Sequence, residues 1–77
     1  MGKKKEEGGP LVVERLSYGG GTVVARVVEI DGDHFADLHD DGEKVDGFGP
    51  SDHAAAVAKW RKLCRKAGML ARAKGGV

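Results

Sequence analysis

In the first part of the chain, apolar and polar residues follow one another with the short period of β-strands. Strands are predicted over residues 11–18, 22–31, 34–39 and 43–48. The segment 22–31 is dense in β-branched residues, and its nearly continuous apolar run is typical of a central strand. Asp31-Gly32 and Asp41-Gly42 are hairpin signals. The pattern predicts an antiparallel meander that ends at Gly49-Pro50.

The first strand is less regular than the second. Its alternate positions Val12, Leu16 and Tyr18 are expected to share one face, with Glu14 interrupting them. The glycines at 19–21 and Thr22 superficially resemble a phosphate-cradling loop. Such loops join a strand to a helix and carry a lysine, whereas this segment joins two strands and has none. A flexible hairpin turn is therefore expected here.

From 51 to 73 the pattern changes to a helical period. At about 100° per residue, the apolar residues fall in one stripe and the basic residues fall on the other side. The stripe consists of Ala56, Val57, Trp60, Leu63, Cys64, Ala67, Leu70 and Ala71. Ser51 is the expected N-cap. Gly68 could end the helix, but Leu70 and Ala71 continue the stripe, which favours continuation toward Gly75-Gly76.

This helix is the only available cover for the sheet. We therefore predict an α+β fold, in which an antiparallel three- to four-stranded β-meander packs against one C-terminal amphipathic helix, with Trp60 as its main anchor. The domain is expected to span 11–73. The segment 1–10 is charged, glycine-rich and without periodicity, which predicts a disordered N-terminal tail, and 74–77 is expected to be a flexible C-terminus.

A chain of 77 residues is one small domain, with little room for multi-site chemistry. The single cysteine, Cys64, cannot form an internal disulfide, which suits a reducing cytoplasm. No apolar run approaches the length of a membrane span, and the basic N-terminus has no apolar core after it, as a secretory signal would. A cytoplasmic location without membrane contact is expected.

The formal net charge of +1 hides a strong segregation of charge. Acidic residues concentrate between Glu29 and Asp46, and basic residues dominate from Lys59 onward. The candidate nucleic-acid-binding residues on the helix are Lys59, Arg61, Lys62, Arg65, Lys66 and Arg72. The candidate protein-binding residues are Asp37, Asp40, Asp41 and Glu43. Two alternatives to a binding role stay open. Both sets of charged residues are ordinary solvated surfaces, or the acidic set faces the basic set within one molecule. Met69 projects from the basic side and could mark a contact point.

No catalytic or metal-binding signature emerges. His34 and His39 are five residues apart in one strand and should point to opposite faces, and no second cysteine joins Cys64 in a zinc site. The segment 37–43 resembles the start of a calcium loop, but its twelfth position is Phe48 instead of Glu. A buried, inert Cys64 is the default expectation, with a reactive thiol near the helix cations as the alternative. We therefore expect no catalytic residues, metal or cofactor, and no enzyme.

Two families share this outline. Short antiparallel strands, an FGPSD turn and an AAAVAKW helix opening with a central tryptophan resemble, over residues 11 to 70, the arm-binding domains of tyrosine integrases and similar DNA-binding domains. In those domains the sheet face reads the DNA groove. The hairpins here are acidic and would be repelled by phosphate, so the helix is expected to carry the contact.

In size, charge pattern and element order, the chain is also similar to phage-encoded inhibitors, including some anti-CRISPR proteins. That resemblance implies an acidic surface that imitates nucleic-acid phosphate and occupies a nucleoprotein machine. The favoured expectation is a small non-catalytic module that associates with nucleic acid, or a nucleoprotein complex, through its basic helix. The alternative is a protein-binding inhibitor or accessory protein from a phage or mobile element, which uses its acidic hairpins, its basic helix or both against a protein target.

Overall fold

Four antiparallel strands and one helix account for residues 10–74, the part of the chain that the computed structural model describes. They are β1 (Leu11–Tyr18), β2 (Val23–Ile30), β3 (Asp33–Asp40), β4 (Glu43–Ser51) and α1 (His53–Ala73). The strands form one sheet in the order β1-β2-β3-β4, and α1 packs on one of its faces. The predicted α+β fold is confirmed, with four strands. Of the predicted tail and C-terminus, only Pro10 and Lys74 lie within the described residues.

Both predicted hairpin turns are present. Asp31 and Gly32 have φ values of 53° and 86°, and Asp41 and Gly42 have values of 58° and 85°. Two consecutive positive φ angles are the requirement of the tight turn that matches the twist of the flanking strands. The register from Val23 opposite Asp40 to Ile30 opposite Asp33 is therefore uninterrupted. The glycines before β2 form a short 3₁₀ turn, Gly19–Gly21.

A β-bulge in β1 changes the predicted faces. Leu16 lies opposite Ala25 on the side that α1 covers, but the register shifts between Val12 and Glu14, and Val12 comes to lie opposite Val28. The extra residue, Val13, packs against the core instead. The expectation that Val12 shares a face with Leu16 was therefore wrong, because one inserted residue reverses the alternation beyond it.

The sheet does not end at Gly49-Pro50, as the sequence suggested. β4 continues through these residues to Ser51, which lies opposite His34. Proline is tolerated there because β4 is an edge strand with an irregular register. Gly49 has a φ of 123°, and an added Cβ would lie 2.7 Å from the carbonyl oxygen of His34 and 2.8 Å from Cδ2 of Phe35. Only glycine fits this close approach.

The N-cap of the helix lies one residue later than predicted. Asp52 is the N-cap, and its Oδ1 accepts a hydrogen bond of 2.8 Å from the backbone N–H of Ala55. Ser51 is not the cap, because it is still the last residue of β4. At the other end the helix passes through Gly68, as expected, and ends at Ala73.

The core lies between α1 and the two central strands. β2 and β3 contribute Val23, Ala25, Val27, Ala36 and Leu38, and α1 contributes Ala56, Leu63, Ala67 and Ala71. The predicted apolar stripe is thus confirmed, but Leu63 is its most buried large residue. Trp60 is half-buried at the margin of the core, where its indole N–H donates to the carbonyl oxygen of Ala25 at 2.9 Å. A tryptophan at this depth needs a partner for its N–H.

We expect Trp60→Ala to destabilise the fold by about 3 kcal/mol, because it removes a large packed side chain. Trp60→Phe keeps the apolar contact and loses only the hydrogen bond, so it should cost about 1 kcal/mol. Urea unfolding followed by circular dichroism measures both, since Trp60 is the only tryptophan and fluorescence would be lost. An unchanged midpoint in both variants would show that α1 packs through another face.

We expect Gly68→Ala to raise the free energy of unfolding by about 1 kcal/mol, because glycine inside a helix is costly. The new Cβ would lie 3.6 Å from Cε2 of Tyr18, which is ordinary van der Waals contact. For a domain of this size the melting temperature should rise by roughly 4–8 °C. Gly49→Ala is the matched control and should lower it. A lower melting temperature for Gly68→Ala would mean that Tyr18 needs the glycine surface.

Candidate binding surfaces

The side of α1 that faces away from the sheet carries an exposed cluster of cations. We call it the outer helix surface, and it consists of Arg61, Lys62, Arg65, Met69 and Arg72. These positions lie on the side of the helix opposite the buried Leu63 and Ala67. Met69 is 66% exposed. At 1.5 Å per residue the surface extends for about 16 Å along the helix axis.

The other two predicted cations lie on the flank of α1, beside β4. Nζ of Lys66 donates to Oδ2 of Asp46 at 3.3 Å. This hydrogen bond is the main reason that the pKa of Asp46 lies below its usual value, and a bond from the N–H of Gly47 and the charges of Lys66 and Lys59 lower it further. Of the six predicted nucleic-acid-binding residues, the structure therefore brings four together and directs Lys66 toward a carboxylate.

The four predicted acidic residues do not form one surface. Asp37 is only 8% exposed and lies on the sheet face away from α1, where it holds Arg26. Asp40 lies on the opposite face, with its Oδ1 3.2 Å from Nζ of Lys74 at the end of α1. Asp41 and Glu43 are exposed at the β3–β4 turn. Two residues of this set are thus engaged within the molecule, and the strict alternation of a strand already separates Asp37 from Asp40.

The acidic and basic halves of the chain do meet at two places. Lys66 with Asp46 ties α1 to β4, and Lys74 with Asp40 ties its end to β3. Both pairs are partly exposed, and such pairs contribute about 0–1 kcal/mol each. They orient the flanks of the helix without neutralising its outer surface.

The sheet face that α1 leaves uncovered is a surface that the sequence analysis missed. We call it the open sheet face, and it carries Arg15, Val24, Arg26, Val28, Phe35, Asp37, His39 and Lys44, as the strand register requires. Nε and Nη2 of Arg26 donate to the two oxygens of Asp37, both at 3.1 Å. A depression of about 610 Å³ lies beside this pair, and Phe35 and Lys44 also line it. The apolar run of 22–31 could have indicated this second surface, because alternate residues of a strand point to opposite faces and half of the run therefore points away from the helix.

The histidines and the cysteine offer no activated group. His34 packs edge-to-face on His53 with 5.2 Å between ring centroids, and His39 lies on the other sheet face, 3.4 Å from Asp37. Among residues 10–74, no three potential ligands come together as a metal site. Burial raises the pKa of the Cys64 thiol, which disfavours the nucleophilic thiolate form.

The fold defines a small α+β domain with two exposed surfaces, one on each layer. Comparison with protein-family models, curated proteins and solved structures found no match to the chain. The resemblances to integrase arm-binding domains and to phage inhibitors stay predictions. No helix within the described range is long and apolar enough to cross a membrane.

Asp46→Asn should reduce stability at pH 7 by less than about 1 kcal/mol, because the pair with Lys66 is exposed. A carboxyl whose pKa falls on folding stabilises the protein above its unfolded pKa of about 4, and this contribution disappears as pH falls through the folded value. The difference between variant and wild type in urea unfolding should therefore vanish in acid. Asp33→Asn, an exposed control, should show no such pH-dependent difference. A constant difference at both pH values would contradict the assignment.

Proposed function

We propose that this protein is a non-catalytic module that binds nucleic acid through the outer helix surface. The observation that carries this proposal is the concentration of Arg61, Lys62, Arg65 and Arg72 on one exposed side of one helix. α1 contains no acidic residue that could neutralise them. A compact array of this kind fits a polyanion better than it fits a requirement for solubility.

The dimensions of the surface suit a phosphate backbone. When α1 lies parallel to the duplex axis, its length of about 16 Å spans roughly five base-pair steps. Arginine forks bind phosphate oxygens in a bidentate manner, and lysine adds a compact charge. Such contacts supply affinity without base recognition, so we expect binding that is independent of sequence and sensitive to salt.

Two carboxylates next to the helix are compensated, which supports the same proposal. Asp46 is held by Lys66, and Asp40 lies beside Lys74. An approaching phosphate would therefore be repelled less by these two carboxylates than the acidic composition of the strands suggests. Met69, exposed among the cations, adds an apolar contact of the kind that wedges against a sugar or base edge.

A cytoplasmic location belongs to this proposal. Nucleic acid is accessible there, and the only cysteine is a half-buried thiol that suits a reducing compartment.

The alternative, a protein-binding inhibitor with an acidic contact surface, draws less support. Asp37 and Asp40 are engaged by Arg26 and Lys74, which leaves Asp41 and Glu43 at one turn. Two exposed carboxylates imitate a phosphate backbone poorly. If capture from a host extract survives nuclease treatment and is lost in Asp41→Lys/Glu43→Lys, the inhibitor reading replaces the proposal.

We expect Lys62→Gln/Arg65→Gln to weaken binding to duplex DNA uniformly across sequences and to reduce the salt dependence of the affinity by about two phosphate contacts. The matched control is Lys59→Gln/Lys66→Gln, which removes the same charge from the same helix but from the flank beside Asp46. It should change the affinity much less. The affinity is measured by fluorescence anisotropy with labelled duplex DNA and duplex RNA at a series of salt concentrations.

If both double variants lose the same affinity for the duplex, binding depends only on net charge, and the outer helix surface is not a specific binding site. If the wild-type protein binds neither duplex at low salt, the proposal is wrong.

A further inference from the structure

The open sheet face combines an ordered set of cations with an apolar patch. One row of directly opposed residues runs across the four strands as Arg15, Arg26, Asp37 and Gly47. The next row toward the β2–β3 turn contains Val12, Val28 and Phe35. A sheet covered by helices on one side alone normally presents polar residues to solvent. This face instead combines a row that carries two arginines with an apolar row in which Val12 is exposed, Phe35 is half-buried and Val28 is buried.

The two arginines of the open sheet face lie next to each other but differ in their partners. Arg15 lies directly opposite Arg26, and like charges in this relation destabilise a sheet. Arg26 is held in place by both oxygens of Asp37. Arg15 is exposed, and within residues 10–74 it has no carboxylate within ion-pair distance. An anion bound between the two arginines would relieve their repulsion.

The glycines of β4 let two longer side chains lean over the edge of this face. An added Cβ at Gly47 would lie 2.7 Å from Cε of Lys44, so that the lysine occupies the space a side chain would fill. Phe35 occupies the corresponding space at Gly49. The depression of about 610 Å³ therefore has a cation and an aromatic ring in its wall, together with Arg26 and Ile30. Its size lies within the usual range of ligand sites, roughly 300–1,000 Å³.

We propose that the open sheet face binds single-stranded nucleic acid. Phosphates contact Arg15, Arg26 and Lys44, and an unpaired base packs on Phe35 and the neighbouring apolar side chains. A flat apolar group that carries a negative charge matches this surface, and an unstacked nucleotide presents both. A duplex keeps its bases stacked inside and cannot offer that apolar surface.

The acidic turns do not oppose this contact. Asp31 and Asp41 lie in the two hairpin turns at opposite ends of the sheet, and the one carboxylate in the cationic row, Asp37, is neutralised by Arg26. From the sequence, acidic hairpins were expected to keep phosphate away from the sheet. The strand register, however, places Arg15, Arg26 and Lys44 on the open sheet face. This surface is independent of the outer helix surface, because the two lie on opposite layers of the fold.

The test is fluorescence anisotropy with a labelled oligothymidylate of about twelve nucleotides at low salt. Arg15→Gln/Lys44→Gln should weaken binding about tenfold and lower the salt slope by about 1.4, since single strands lose roughly 0.7 per phosphate contact. Phe35→Leu keeps an apolar side chain and removes the ring, so it should weaken binding at least about fivefold. Phe35→Tyr keeps the ring and should retain the affinity, which separates stacking from a loss of folding.

Lys59→Gln/Lys66→Gln, which removes the same charge from the flank of α1, serves as the control and should leave the affinity for the oligomer within about twofold. The proposal is overturned if the wild-type protein does not bind the oligomer, or if the control weakens binding and the sheet variants do not. In a competition experiment, release of the labelled oligomer by an equimolar amount of duplex would also overturn the proposal, because the sheet face would then not prefer single strands. If the wild-type protein binds the oligomer but neither duplex DNA nor duplex RNA at low salt, the proposed function of the helix is wrong and the sheet face is supported.

Discussion

The close approach of α1 to the two central strands is the constraint on which the rest of the structure depends. Small side chains allow it: Ala56 and Ala67 of the helix belong to one core cluster with Ala25 and Ala36 of the sheet, and all four are fully buried. The indole N–H of Trp60 then fixes the helix to the carbonyl oxygen of Ala25. Because the apolar stripe of α1 is held against β2 and β3, its cations can only lie on the flanks or on the outer side.

That same packing leaves the second face of the sheet without a cover from residues 10–74. β2 is apolar on both sides, since Val23 and Val27 face the helix while Val24 and Val28 face away. One helix cannot bury both sets. The two exposed surfaces are thus products of one geometry: α1 turns its charge outward on one layer, and the sheet presents a mixed apolar and cationic face on the other.

The sequence predicted most of the fold because local signals and tertiary needs agree there. The Asp-Gly turns, the β-branched run of β2 and the helical stripe each require one structure. The sequence-based prediction was wrong where a single residue determines the local structure. Val13 forms a bulge that no periodicity announces, and Asp52 takes the cap because β4 extends through Gly49-Pro50 to Ser51. Edge strands tolerate proline and irregular register, which sequence rules treat as a stop.

The candidate sites were harder to predict for a related reason. A helical wheel locates the outer cations, but only the sheet register shows that Asp46 holds Lys66, that Asp37 holds Arg26, and that Asp40 faces the other way. Because of these pairings, the nearly neutral chain has local regions in which one sign of charge remains uncompensated. The net charge of +1 therefore says little about partners, because exposed positive charge is concentrated on the outer helix surface, with Arg15 and Lys44 exposed on the open sheet face. Because these two surfaces lie on opposite layers, the two contacts that we propose with nucleic acid are independent of each other.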